Sequence, residues 1–280
     1  MKDDTMDNPL SEWLEQRGMR APFRYDLPLF EALNTYYADK PLVPAPREIS
    51  SKGLFSQADT RVDHLLTLLA SFENLECLEV GCGRGETAVR LAQRGGCGVT
   101  GVDITRYAEW EGRWSARTRF LPLDITHEAP FRAGSFDFIY SFVVLEHVVD
   151  PLAMLEKIYT LLKPKGTFYF TANLYRGPMA SHRYREVFFP WPHLLFGDTV
   201  FEEYYQQIGF VGKHKPAWVN KLTHLHYIEK MRTLGLQILR CNYTRRPLDV
   251  FFYECFHDIL GKYPREDLEL DFIKLHTVKK

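Results

Sequence analysis

The stretch "CLEVGCGRGETAVRLA", residues 77–92, decides the fold. An apolar run, "LECLEV", enters it and reads as a buried strand. Glycines follow at 81, 83 and 85, and from Glu86 the apolar positions recur at helical spacing. A strand, a glycine turn and a helix together let a ligand approach the backbone beside a helix N-terminus, where free N–H groups point outward. A dinucleotide site would place its third glycine one position later, as G-x-G-x-x-G. That position here is Glu86. A carboxylate suits the positive end of a helix dipole but repels a pyrophosphate, so the spacing favours a ligand without phosphate.

The segments around this turn narrow the ligand further. "GVTGVDI" reads as a second strand ending in Asp103, an acid placed to accept both hydroxyls of a ribose. "TRFLPLDI" is a third strand, ending in Asp124, placed to accept from an adenine amino group. Glu79, at the end of the first strand, offers negative charge to a cationic group. An adenosine without phosphate that also carries a cation satisfies all three acids, and S-adenosylmethionine has these features. "FDFIYSFVV" is a fourth strand. Asp150-Pro151 then opens a helix, Asp as cap and Pro in the first turn, with Leu152, Leu155, Ile158 and Leu162 on one face. "TFYFTAN" is a fifth strand. Strands alternating with helices predict a parallel, doubly wound sheet.

Residues 174–220 break this rhythm with a run dense in aromatics and histidine, and read as an insertion after the fifth strand. "LTHLHYIEKMRTLG" is then a helix, and "LQILRCNYT" and "LDFIKLHTV" are the last two strands, with a second insertion at about 245–267. "TRVDHLLTLLASF", residues 60–72, predicts an amphipathic helix. Residues 1–60 read as short helices and a linker.

The ordered set "LEVGCGRGE", "GVDI", "PLDI", "FDFIYSFVVLEHVVDP" and "LKPKGTFYF" resembles the class I S-adenosylmethionine-dependent methyltransferases, in particular the small-molecule group that includes the quinone-biosynthesis enzymes. The resemblance spans residues 76–172 and the ending after 220. It implies a Rossmann-like seven-stranded sheet whose last strand is antiparallel, lying between the fifth and sixth. The methyltransferase domain would run over 61–280, with a substrate cap at about 174–220 and a helical extension at 1–60. It also implies a cofactor site lined by Glu79, Gly81, Cys82, Gly83, Gly85, Asp103, Ile104, Asp124, Ile125 and the backbone of Ser141 and Phe142. Two rivals stand beside it. One is an NAD-dependent oxidoreductase, against which Glu86 argues. The other is a cofactor-binding regulatory subunit without chemistry.

A sulfonium is already an activated methyl donor, so the protein chiefly supplies alignment and dehydration. The expected acceptor is a small molecule, a hydroxyl of a secondary metabolite or glycan precursor, and a hydroxyl needs a base. His182, beyond the fifth strand, leads; His193 in "WPHLLFG" and His147 in "LEHV" are the other candidates. His147 reads as a structural or cofactor-side residue. His224 and His226, at i and i+2 of a helix, point to different faces, so no metal is expected. The aromatics at 188–196 read as core or as a lid. Arg113, Arg183, Arg246 and their like read mostly as solvated surface, with a few able to hold an anionic acceptor such as a phosphosugar or nucleotide sugar.

Composition limits the alternatives. A formal net charge of -1 gives no overall basic field for nucleic acid or an anionic membrane. The five cysteines contain no C-x-x-C pair, which weakens metal and disulfide readings. The opening "MKDDTMDNPLSEWLEQ" lacks a signal core, and no run reaches the roughly 18 apolar residues of a membrane span. The expectation is a cytoplasmic enzyme.

Overall fold

The apolar run at Cys77 forms β1 (Glu76–Val80), buried at every residue after the first. The computed structural model describes residues 14, 23–42, 50–127, 130–210 and 220–280. Around β1 stand β2 (Gly98–Asp103), β3 (Thr118–Pro122), β4 (Phe136–Phe142), β5 (Leu162–Asn173), β6 (Leu236–Arg245) and β7 (Leu270–Lys279), in the order β3-β2-β1-β4-β5-β7-β6. β1 is parallel to both β2 and β4, and β7 is antiparallel to β5. This is the doubly wound, Rossmann-like sheet with an antiparallel last strand that the sequence predicts. Covered parallel strands read as continuous apolar runs rather than alternating ones, which is why the central strands were legible. The chain switches direction across the sheet between β1 and β4, the place where such folds open a crevice.

Four helices accompany the sheet: α1 (Ser51–Leu65), α2 (Glu86–Gly95), α3 (Pro151–Leu161) and α4 (His224–Thr233). α3 starts as expected, with the Asp150 carboxylate accepting from the Ala153 N–H at 2.9 Å. α1 differs from its predicted span of 60–72. It is capped by Ser50, whose hydroxyl accepts from the Gly53 N–H at 3.2 Å, and it ends at Leu65. The apolar run "LLTLLASF" continued the helical pattern past the true stop, where Thr67 Oγ1 donates to the His64 carbonyl at 2.7 Å. "KPKG", residues 163–166, lies within the first residues of β5, so helix passes straight into strand.

The described residues divide into two compact units. The sheet unit comprises 50–127, 130–174, 220–244 and 272–280. The helical unit draws on three separate stretches: 14 and 23–42, 175–210, and 245–271. Its core is aromatic. Phe30 meets Phe189, Phe196 and Phe201 edge-on, with centroids 5.2, 5.1 and 5.2 Å apart. Trp191 is buried and its Nε1 donates to the Leu268 carbonyl at 3.1 Å. The 188–196 aromatics are therefore core of this unit, each buried ring worth about 1.5–3 kcal/mol. Three arginines depart from the solvated-surface expectation. Arg113 is largely buried and paired with Glu86. Arg246 pairs with the fully buried Asp271, and Arg183 is itself buried. Among the described residues, no helix is long and apolar enough to cross a membrane.

Candidate functional site

At the carboxyl ends of β1, β2 and β4 the sheet unit opens a cavity of about 620 Å³. Gly81, Asp103, Ile104, Asp124, Ile125 and His147 line it. These come from separate stretches of sequence, and strand order alone brings them together. The glycine turn is tied to β2, with the N–H groups of Gly81 and Cys82 donating to the Val102 carbonyl at 2.8 and 3.0 Å.

Asp103 braces this turn. Its Oδ2 accepts from the Gly83 N–H at 2.9 Å and its Oδ1 from the Thr105 N–H at 3.0 Å. Each oxygen keeps lone-pair capacity for further donors. Trp110 holds the turn from the other side. Its Nε1 donates to the Gly83 carbonyl at 2.8 Å, and its ring stacks on Phe120 with centroids 5.6 Å apart. Phe120 in turn packs at Gly85. Asp124 accepts from the Thr126 N–H at 2.9 Å and lies 3.1 Å from His127 Nδ1. Partial burial opposes its ionisation, but the Thr126 backbone and hydroxyl together with His127 outweigh it and hold the carboxyl below its ordinary range. It stays an anionic acceptor at neutral pH.

The rim is apolar. Ile104 and Val149 are 78% and 86% exposed, an unusual state for aliphatic side chains, and both line the cavity. Leu123, Val144 and Met154 continue this surface. A flat apolar ring with polar edges suits such walls. Val143, also in the lining, has φ +58°. That is strained for a β-branched residue, and its N–H donates to the Thr171 carbonyl at 2.9 Å.

Other predicted residues stand outside the lining. Glu79 is 2% exposed. Burial pushes its pKa up to about 8, opposed by Arg61 and by the Tyr140 hydroxyl 3.3 Å away. Ser141 is fully buried, with its hydroxyl donating to the Val80 carbonyl at 2.9 Å. Phe142, half-buried, carries the Arg61 guanidinium over its ring. Cys82 is buried and burial raises its thiol pKa, which leaves it inert. Glu86 forms an ion pair with Arg113 at 2.9 Å, so the charge set against a pyrophosphate is partly neutralised.

Of the three candidate histidines, one belongs to the sheet unit and two to the helical unit. His147 is exposed and lines the cavity of the sheet unit. His182 and His193 belong to the helical unit. His193 Nε2 lies 2.6 Å from the Tyr175 carbonyl, which can only accept, so Nε2 carries the proton and Nδ1 is a lone pair. Burial lowers its pKa to about 4. His182 has φ +53°, with its N–H donating to the Met179 carbonyl at 3.1 Å. The His226 ring accepts from the Thr223 N–H at 3.1 Å, capping α4.

The sequence reading missed His127, Val144 and Val149. The last two sit in "FVVLEHVVDP", so their signal was position after a strand end. His127 gave none beyond its spacing from Asp124.

Comparison with known proteins agrees with this geometry. Residues 54–231 match the family model described as a methyltransferase domain. A ubiquinone biosynthesis O-methyltransferase of Actinobacillus pleuropneumoniae is 31% identical over 120 residues, covering 40% of this chain and 51% of that protein. Its counterpart in Xanthomonas campestris is 32% identical over 134 residues, covering 46% and 55%. The chain thus spans about half the length of the curated relatives it matches. A solved S-adenosylmethionine dependent methyltransferase from Mesorhizobium loti shares the fold, with a TM-score of 0.54 at 18% identity, covering 79% of this chain and 100% of that one.

Proposed function

The chain belongs to the methyltransferase-domain family, and from this we propose that it transfers a methyl group from S-adenosylmethionine to a hydroxyl of a small molecule. The observation that carries the proposal is the cavity itself: two anionic acceptors, Asp103 and Asp124, at successive strand ends around an apolar rim. When bound, the cofactor supplies an electrophilic methyl. Asp103 holds the ribose hydroxyls while bracing the glycine turn. Asp124 accepts from the adenine amino group, and Ile104, Ile125 and Val149 cover the faces of the base. In the glycine turn, Gly83, whose Cβ position faces open space, would admit the cofactor's amino-acid portion, while Gly81 and Gly85 let Val144 and Phe120 pack against the backbone. Glu79, as a carboxylate, would balance the cofactor's cationic charge. His147 shapes the cofactor side of the cavity. The Ser141–Phe142 backbone would help hold the cofactor.

The naming of the curated relatives as O-methyltransferases supports an oxygen acceptor. We assign the helical unit, which includes most of the 174–220 insertion, to acceptor binding. His182 is the base that removes the hydroxyl proton as the oxygen attacks, with His193 as the second candidate. In this reading the enzyme works in the cytoplasm, where the five free thiols are stable, and needs no nucleic acid, membrane or metal. The test is methyl transfer from labelled cofactor to a panel of phenols, sugar derivatives and hydroxylated metabolites. Label on any oxygen supports the proposal. Label only on nitrogen or carbon would move the acceptor class, and cofactor binding without transfer to any member would favour a regulatory subunit.

A further inference from the structure

The helical unit holds a charge for which its own fold supplies no close partner. Arg183 is 6% exposed. Its guanidinium carbon lies 3.7 Å from the centroid of Phe201 and 5.7 Å from that of Tyr205. Its Nη1 is sealed from solvent and makes no hydrogen bond. The carboxylate that faces it, Asp198, is 3.8 Å from Nη2 and 91% exposed. A pair that long, with one member in water, is weak. Burial draws the Arg183 pKa down to about 10, so the group stays charged at neutral pH.

Burying a guanidinium without a fixed anion is costly, and elsewhere in this unit the fold avoids that cost. Arg176 meets Asp267 at 2.6 Å, and Arg246 meets the buried Asp271. Arg183 is the departure. His193 repeats it nearby. Its Nδ1 lone pair is also sealed and without a partner. The unmatched buried donor of Arg183 fits an oxyanion, a phosphate or a carboxylate. Arginine's planar fork matches either oxyanion with two parallel bonds.

We propose that Arg183 anchors an anionic group of the methyl acceptor, a phosphate or a carboxylate. This rests on the methyl-transfer reading above and narrows its substrate class. Cation–π packing on Phe201 holds the guanidinium in place before the acceptor arrives.

The test uses the full chain, with inorganic phosphate and benzoate as probes at matched ionic strength, read by thermal melting. Arg183→Met, Arg183→Lys and the wild type are compared. Wild-type melting should rise by about 2–4 °C at saturating probe, the scale of a ligand that binds only the folded state. Response to phosphate alone assigns the group to a phosphate ester, and response to benzoate alone assigns it to a carboxylate. Arg183→Met should lose the response and melt at or above the wild-type temperature without probe, because an unpaired buried charge is gone. Arg183→Lys keeps the charge without the fork and should need at least threefold more probe. If the methionine variant does not fold, the wild-type response and the lysine shift still decide. A wild type unmoved by both probes, or variants that respond as it does, overturns the proposal. So does a methionine variant that folds but melts well below the wild type, because Arg183 is then a structural prop. S-adenosylhomocysteine titration of the same samples separates the two readings. Its failure to bind the wild type removes methyl transfer, whereas normal binding with no anion response removes only the anchor.

Discussion

Two glycines in one turn should fail in opposite ways when alanine replaces them. Gly85 has φ +90°, and an added Cβ would stand 2.5 Å from Phe120 Cε1 and 2.7 Å from Cζ. That ring cannot retreat freely, because it stacks on Trp110, which is pinned to the Gly83 carbonyl. The left-handed backbone costs about 1–2 kcal/mol for a residue with a Cβ, and forcing a packed ring aside costs about 1–3 more. At about 2–4 °C per kcal/mol for a chain of this size, Gly85→Ala should melt about 5–15 °C below the wild type. Gly83 has φ +52°, but an added Cβ would meet nothing within 4 Å. Only the backbone cost of about 1–2 kcal/mol applies there, so melting should fall by about 2–8 °C. The open space in front of Gly83 is what a ligand pressed to the backbone needs. Gly83→Ala should therefore weaken S-adenosylhomocysteine about tenfold or more, roughly 1.4 kcal/mol, while remaining folded. Scanning fluorimetry and titration calorimetry on the two variants check this. Equal melting losses, or a Gly83→Ala protein that binds the ligand normally, would refute the reasoning.

Asp103→Ala removes the acceptor for the Gly83 and Thr105 N–H groups as well as for the ribose, and should weaken S-adenosylhomocysteine by about 1–3 kcal/mol in calorimetry. His182→Ala should lower turnover about 10²–10⁴-fold with cofactor affinity little changed, the scale of losing a general base; near-normal turnover removes His182 from the mechanism. Acid should destabilise the chain through His276, whose pKa burial lowers to about 4, with Arg240 and His64 adding to the shift. The unfolded imidazole binds its proton from about pH 6.5 downward, so this contribution is intact above 6.5 and is lost as the pH falls toward 4. Replacing His276 by Asn should shrink the stability difference between pH 7.5 and pH 5 by about 2 kcal/mol in urea melts; an unchanged difference contradicts the assignment.

The sheet was legible because β1 and β4 are nearly continuous apolar runs and β1, β2 and β3 close on glycine, aspartate or proline, signals that act over a few residues. β1, β2 and β4 fell where their residues placed them for this reason. So did the acids Asp103 and Asp124, because a strand end is a local feature and strand order follows from the alternation with helices. α1 was misplaced because its cap, Ser50, precedes a weakly patterned stretch while the apolar run after Leu65 mimics a helix. The helical unit was not legible. It is assembled from three segments far apart in the chain, and Phe30 gives no local sign that it will meet Phe189, Phe196 and Phe201. Arg183 was misread for the same reason. Its surroundings, Phe201 and Tyr205, lie a helix away, and burial of a charge leaves no mark in its neighbouring residues.

The central claim is that the cavity at the ends of β1, β2 and β4 takes an adenosine-bearing, phosphate-free cofactor. Calorimetric titration of the full chain with S-adenosylhomocysteine and, separately, with NAD tests it most directly. The account predicts a single saturable site for S-adenosylhomocysteine, weakened in the Asp103→Ala protein, and no measurable heat from NAD. Tight binding of NAD with no response to S-adenosylhomocysteine would contradict it.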